Sequence, residues 1–257
     1  MTKKIITQNL IKNGYHKFKL KNKNSQKLKQ IITKNINDKT KKKIRYLDEI
    51  HNHLNVEELN NFRLFIFKKI NNNKKFRENI FYAAQEQIEA CVGSEICSSD
   101  ANLSIQYPND ESSLLSMHTD FFSGESIFQV NLWVPFVNVK KTQSMFIINP
   151  ENSLKILEKI KKDKNLVFNN IDEKYKSKMK WINLKEGEAM MFSPNCLHGN
   201  VVNRERKTRW SINIRFKNLF SPYSKYKNEK KIGTFYKPMN LSSITQFNLR
   251  HNFDEIS

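Results

Sequence analysis

Residues 116–136 read SMHTDFFSGESIFQVNLWVPF, a histidine and a carboxylate two apart followed by an alternating run. On extended backbone, residues i and i+2 point to the same side. His118 and Asp120 therefore predict two ligand atoms aimed at one point. After the turn residues Ser123 and Gly124, the segment Gln129–Pro135 alternates, with Gln129, Asn131 and Trp133 opposed to Val130, Leu132 and Val134. A period of two predicts a strand. His198, in FSPNCLHGN, is the third candidate ligand, brought back by a returning strand. Two imidazoles and a carboxylate on one face of an octahedral metal leave three positions open.

A second alternating stretch follows His198. In TRWSINIRF (208–216), Trp210, Ile212, Ile214 and Phe216 take one face, and Arg209, Ser211, Asn213 and Arg215 take the other. Burying such a polar row is costly unless a ligand pairs with it. The planar fork of Arg209 suits a carboxylate, with Ser211 beside it.

His-x-Asp, a distal His, an Arg eleven residues on and a Ser two beyond it resemble the Fe(II)/2-oxoglutarate-dependent oxygenases. Within them the chain looks most like the phytanoyl-CoA-hydroxylase-like branch. LWVPFVNVKKTQSMFIINPENS, KEGEAMMFSPNCLHGN and RWSINIRF carry this likeness, which covers about residues 101–220. The run HTDFFSGESIFQVNLWVP is also similar to oxygenases found beside bacterial carbohydrate-biosynthesis genes. One departure is Asn149-Pro150-Glu151-Asn152-Ser153, where the branch usually has Pro-Gly-Ser-His.

The resemblance implies Fe(II) held by His118, Asp120 and His198, with 2-oxoglutarate and O2 filling the open positions. Arg209 and Ser211 would hold the distal carboxylate of 2-oxoglutarate, and Asn131 and Arg215 face the same interior as further cosubstrate candidates. Gln106, Phe122, Gln129, Trp133 and Asn213 are the substrate-side candidates, with Phe121, Ser123 and Glu125 beside them. The implied reaction is oxidation of a C–H bond, most simply hydroxylation, of a sugar or nucleotide sugar. Two alternatives stay open. One is a nucleic-acid-dealkylating oxygenase, which also places two arginines six apart on its last strand. The other is a non-enzymatic jelly-roll protein that binds a metal or a sugar.

The net charge of +20 on 257 residues is uneven. Residues 1–45 hold fourteen lysines and Arg45 against Asp38 alone, a net +14. Such an arm favours nucleic acid, an anionic membrane or a phosphate-bearing substrate. It equally fits the codon bias of an AT-rich genome, since, Tyr15 and Phe18 apart, the lysines show no aromatic interleaving of the kind that stacks bases. The apolar runs are too short to span a bilayer, and the basic N-terminus lacks the apolar segment of a secretory signal. Cys91, Cys97 and Cys196 are odd in number and show no ligand spacing, which predicts reduced thiols in a cytoplasmic protein.

Helical spacing is expected over residues 24–36 and over two helices between Val56 and Val92, broken at Asn71-Asn72-Asn73. YHKFKLK (15–21) alternates as a short strand would. From Asn102 the period becomes two in ANLSIQYP, MHTDFF, FQVNLWVPF, SMFIINP, EAMMFSP and TRWSINIRF, with a helical insert from Ser153 to about Lys164. His51-x-His53 mimics a ligand pair but lacks a partnering carboxylate, and reads as surface. The expected fold class is mainly β with helices (α+β): a double-stranded β-helix (jelly-roll) core over 101–220. A helical cover over 1–100 and a tail over 221–257 complete it.

Overall fold

The structure, a computed structural model, describes residues 3–162, 175–225 and 228–251. The chain opens with α1 (Lys3–Asn13), β1 (Tyr15–Lys19), α2 (Asn22–Thr40), α3 (Val56–Asn71) and α4 (Lys74–Val92). Then come β2 (Ile96–Ser98), β3 (Asn102–Gln106), β4 (Gln129–Pro135), β5 (Phe146–Ile147) and α5 (Pro150–Lys162). The last part holds β6 (Lys180–Trp181), β7 (Glu188–Phe192), β8 (His198–Gly199), β9 (Arg209–Asn218), β10 (Lys237–Asn240) and α6 (Ser243–His251).

The two alternating segments are neighbours. β4 pairs antiparallel with β9, Asn131 opposite Arg215 and Trp133 opposite Asn213, so their polar faces form one surface. The larger sheet runs β1-β7-β4-β9-β2-β10, with β3 also paired to β9, and every one of these pairings is antiparallel. A smaller antiparallel sheet runs β6-β5-β8. The fold is therefore a mixture of helices and antiparallel sheets. Among the described residues no helix is long and apolar enough to cross a membrane.

The apolar face of β9 is where the helices sit. Trp210, Ile212, Ile214 and Phe216 are fully buried, each worth about 1.5–3 kcal/mol of transfer free energy. Leu59, Phe62, Ile66 and Ile70 recur at helical spacing on α3, and Phe62 meets Trp210 edge-on with ring centroids 6.2 Å apart. The expected break between α3 and α4 lies at Asn71–Asn73. There Asn73 caps α4 by accepting from the Phe76 N–H, while Asn71 bonds both backbone groups of Ala101. That anchors the end of α3 to the start of the sheet. With one face of β9 covered by helices, its polar residues Arg209, Ser211, Asn213 and Arg215 line a cavity on the other side.

Several expectations shift. The helix expected at 24–36 is the middle of α2, and the insert expected from Ser153 begins at Pro150 and runs to Lys162. The strand expected at 15–21 is β1, and it pairs with β7. MHTDFF is not a strand. His118 makes a single bridge to His198, and a 3-10 turn begins at Asp120 and closes on Gly124, whose φ of +82° suits glycine. Thr119 between them is extended (φ −117°, ψ 144°), which is enough to put residues 118 and 120 on one side.

Candidate metal centre

The two histidines are held by each other's backbone. His118 N–H donates to the His198 carbonyl at 2.9 Å, and His198 N–H donates back at 3.0 Å. Glycine is needed next to His198, because a Cβ at Gly199 would stand 2.8 Å from the Leu115 carbonyl oxygen. Asp120 is anchored separately, its N–H donating to the Pro194 carbonyl at 3.0 Å. Met117, Leu197, Phe146, Ile148 and Ile156 form a small apolar cluster next to these anchors.

The imidazoles are oriented as metal ligands require. His118 Nδ1 lies 2.8 Å from the Ser116 carbonyl and His198 Nδ1 lies 2.9 Å from the Cys196 carbonyl. A carbonyl only accepts, so each Nδ1 carries the hydrogen and each Nε2 presents its lone pair. Asp120 Oδ1 stands 3.5 Å from His118 Nε2 and 3.7 Å from His198 Nε2. All three ligand atoms fall within 4.8 Å of one another, a group that could hold a metal ion. The donor set and the fixed ring orientations fit a divalent metal with open positions.

Electrostatics agree with that fit at His198 and Asp120. Burial pulls the His198 imidazole down to about 4, which keeps it neutral and its lone pair free. Burial alone would raise the Asp120 carboxyl, but the two imidazoles and Arg215 outweigh it and hold it well below the usual range. For His118, burial lowers the pKa, yet the contact with Asp120 and the Ser116 carbonyl leave it raised overall.

A cavity of about 120 Å³ adjoins these atoms. The polar face of β9 lines it with Arg209, Ser211, Asn213 and Arg215, and β4 contributes Trp133. Arg209 is buried, with Nη2 donating to Ser104 Oγ at 2.9 Å and Nε lacking a partner. Among the described residues no carboxylate pairs with it, and burial draws its pKa down to about 10. Ser211 Oγ and Asn213 Oδ1 are likewise buried without partners. One wall of the cavity thus carries a guanidinium with an open Nε, a hydroxyl and an acceptor, and such buried unpartnered atoms are costly unless a ligand meets them.

Eight residues picked out in the sequence therefore border one cavity: the metal group, Arg209, Ser211, Asn213, Arg215 and Trp133. Others lie elsewhere. Gln106 is buried away from it, its amide donating to the Val201 carbonyl. Phe122 is exposed and lies tilted against Phe121, with ring centroids 5.7 Å apart. Gln129 and Asn131 are buried behind Asp120 rather than on the cavity wall, and the Asn131 amide donates to Asp120 Oδ2. Arg215 is committed to Glu125 at 2.8 Å, with Nη2 3.8 Å from Asp120 Oδ1. Glu125, expected on the substrate side, is buried in that ion pair.

His51 is half-buried, its Nδ1 2.7 Å from Thr208 Oγ1, and takes no part in the metal group. Ser104 and Asn200 were missed. Ser104 sits opposite Ser211 in the β3–β9 register, a pairing that no local pattern announces.

No protein-family model and no curated protein matches the chain. Solved structures do. The non-haem monooxygenase ThoJ, as its nickel complex, superposes with a TM-score of 0.56 at 12% identity over 98% of this chain and 95% of that one. SnoK, an α-ketoglutarate-dependent carbocyclase from nogalamycin biosynthesis, gives 0.57 at 10% identity over 87% and 86%. HygX from Streptomyces hygroscopicus, with nickel and 2-oxoglutarate bound, gives 0.52 at 7% identity over 90% and 92%. The likeness is one of fold. The structural neighbours are non-haem, 2-oxoglutarate-dependent oxygenases and monooxygenases, and the metal group found here stands on geometry of its own.

Proposed function

We propose that the chain is an Fe(II)- and 2-oxoglutarate-dependent oxygenase of the phytanoyl-CoA-hydroxylase-like branch, acting on a C–H bond of a sugar-bearing small molecule. The observation that carries this reading is the juxtaposition of two histidines and a carboxylate with the buried guanidinium of Arg209, which has no counter-ion among the described residues, in one cavity. On this reading the two sheets are the halves of a jelly roll and α2, α3 and α4 its cover. The three cysteines, all free, suit a reducing cytoplasm.

His118, Asp120 and His198 would hold the iron through Nε2, Oδ1 and Nε2. When bound, iron, 2-oxoglutarate and O2 supply the oxidation, with the oxoacid leaving as succinate and CO2 and one oxygen atom going to the substrate. Arg209 receives the distal carboxylate in its fork, and the Ser211 hydroxyl donates beside it. Arg215, held by Glu125, acts on Asp120 instead of on the cosubstrate. A cavity of about 120 Å³ is roughly the share of four waters at about 30 Å³ each. It suits a small dicarboxylate, and the substrate then reacts at its mouth. The Asn213 carbonyl oxygen, an acceptor without a donor, favours a substrate bearing hydroxyls over a purely apolar one.

Succinate formation, measured in parallel with nucleotide sugars, alkylated oligonucleotides and free amino acids, tests the reading. Stimulation by a nucleotide sugar, lost in Asp120→Ala, is expected. Stimulation by alkylated oligonucleotides alone would replace the sugar by nucleic acid. No 2-oxoglutarate turnover with any substrate class would sink the enzyme assignment.

A further inference from the structure

Behind Asp120, on the side away from the cavity, a row of buried amides leads to a tyrosine far along the chain. Tyr236 is fully buried, and its hydroxyl oxygen accepts the Ser126 N–H at 3.0 Å. Its one hydrogen is donated to Gln129 Oε1. Gln129 Nε2 then donates to Glu125 Oε2 at 2.7 Å and to Asn131 Oδ1 at 2.8 Å, which uses both of its hydrogens. Asn131 Nδ2 in turn donates to Asp120 Oδ2. The order of donors and acceptors runs one way, from phenol to carboxylate, and each amide is fixed by its neighbour.

We propose that Tyr236 is a positioning residue for the metal ligand Asp120, acting through Gln129 and Asn131. This rests on reading His118, Asp120 and His198 as the metal centre. The relay holds Oδ2 and so turns Oδ1 alone toward the imidazoles, one ligand atom from the carboxylate. Without the phenol hydroxyl, Gln129 Oε1 is a buried acceptor with no donor. Rotating its amide does not help, because the carbonyl would then face the Glu125 carboxylate. Gln129 must move, and Asn131 and Asp120 move with it.

The same C-terminal segment grips the turn after the metal pair. Lys230 N–H donates to the Gly124 carbonyl at 2.7 Å, and Lys230 Nζ lies 3.2 Å from Glu125 Oε1. The segment therefore reaches the metal ligand by a specific path, and not only by covering it.

Co(II) titration of the full chain, followed by the visible d–d bands of the bound ion, tests this. Asp120→Ala is expected to lose Co(II) binding. Tyr236→Phe keeps the ring, and Gln129→Leu removes the relay from its middle. Each is expected to weaken Co(II) binding about tenfold, within the range for partners of a metal ligand, and to shift the bands. A packing role for Tyr236 would lower the melting temperature without changing the spectrum of the bound ion. Wild-type Co(II) affinity and spectrum in both Tyr236→Phe and Gln129→Leu, with Asp120→Ala unable to bind, overturn the relay and leave the metal centre standing. Wild-type binding by Asp120→Ala overturns the metal centre itself, and the relay with it.

Discussion

Asn131 and Asp120 meet through a single hydrogen bond, from the amide Nδ2 to Oδ2, which leaves Oδ1 to face both imidazoles. The residue opposite Asn131 across the β4–β9 pair is Arg215, which approaches the same carboxylate from its other side. A neutral donor and a cation thus share one buried anion. Replacing Asn131 by Asp puts a second carboxylate against Asp120. Metal affinity is expected to fall 10–100-fold or more, and Asn131→Ala to fall less. Calorimetric titration with Co(II) or Ni(II) measures this, and equal affinities in Asn131→Asp and wild type would refute it.

Arg209 is the proposed anchor of 2-oxoglutarate. Its Nε has no partner and its charge no counter-ion among the described residues. Arg209→Ala is expected to raise the apparent dissociation constant for 2-oxoglutarate more than tenfold, in line with about 2–5 kcal/mol for losing one partner of a desolvated pair. Arg209→Lys should not restore it, because a point charge replaces a planar fork. Unchanged 2-oxoglutarate binding in Arg209→Ala would move the anchor elsewhere.

The sheet depends on its helical side. Trp210 is fully buried against Phe62, and its indole N–H has no hydrogen bond to lose. Trp210→Ala is therefore a nearly pure packing change, expected to cost about 3–5 kcal/mol. Urea unfolding measures it, and a loss under about 1 kcal/mol would show that the helices do not pin this face of β9.

Glu229 gives the chain a pH dependence. Burial would raise its carboxyl, but hydrogen bonds from Ser224, Ser126 and the buried Lys217 overcome it and hold it at about 2, against the ordinary 4.5. A folded-state pKa below the unfolded one gives stability that is full above pH 4.5 and is lost as pH falls toward 2. Glu229→Gln should be less stable at neutral pH, where Lys217 is left buried and unpaired. It should also lose less stability on acidification than wild type does between those two values. Parallel urea midpoints for the two proteins across that range would contradict this.

The parts of the site that were legible in the sequence are those fixed by local geometry. Arg209, Ser211, Asn213 and Arg215 share a face because a strand has a period of two, and no partner need be known to say so. His118 and Asp120 align for the same reason, with Thr119 between them extended. What stayed hidden depends on register between distant segments. Nothing near Gln129 signals that Tyr236 will reach it, and nothing in YHKFKLK says that β1 will lie against β7. Glu125 misled for a related reason. Its neighbours Phe122 and Ser123 are exposed, but the 3-10 turn swings Glu125 inward to Arg215.

We propose that one cavity binds iron and 2-oxoglutarate together. This is tested most directly by anaerobic addition of Fe(II) and 2-oxoglutarate to the full chain, followed by visible absorption. A metal-to-ligand charge-transfer band is expected only when both are present, weakened in Arg209→Ala and missing in Asp120→Ala. No band in the wild-type chain at saturating concentrations of both, or an undiminished band in Asp120→Ala, would contradict the account.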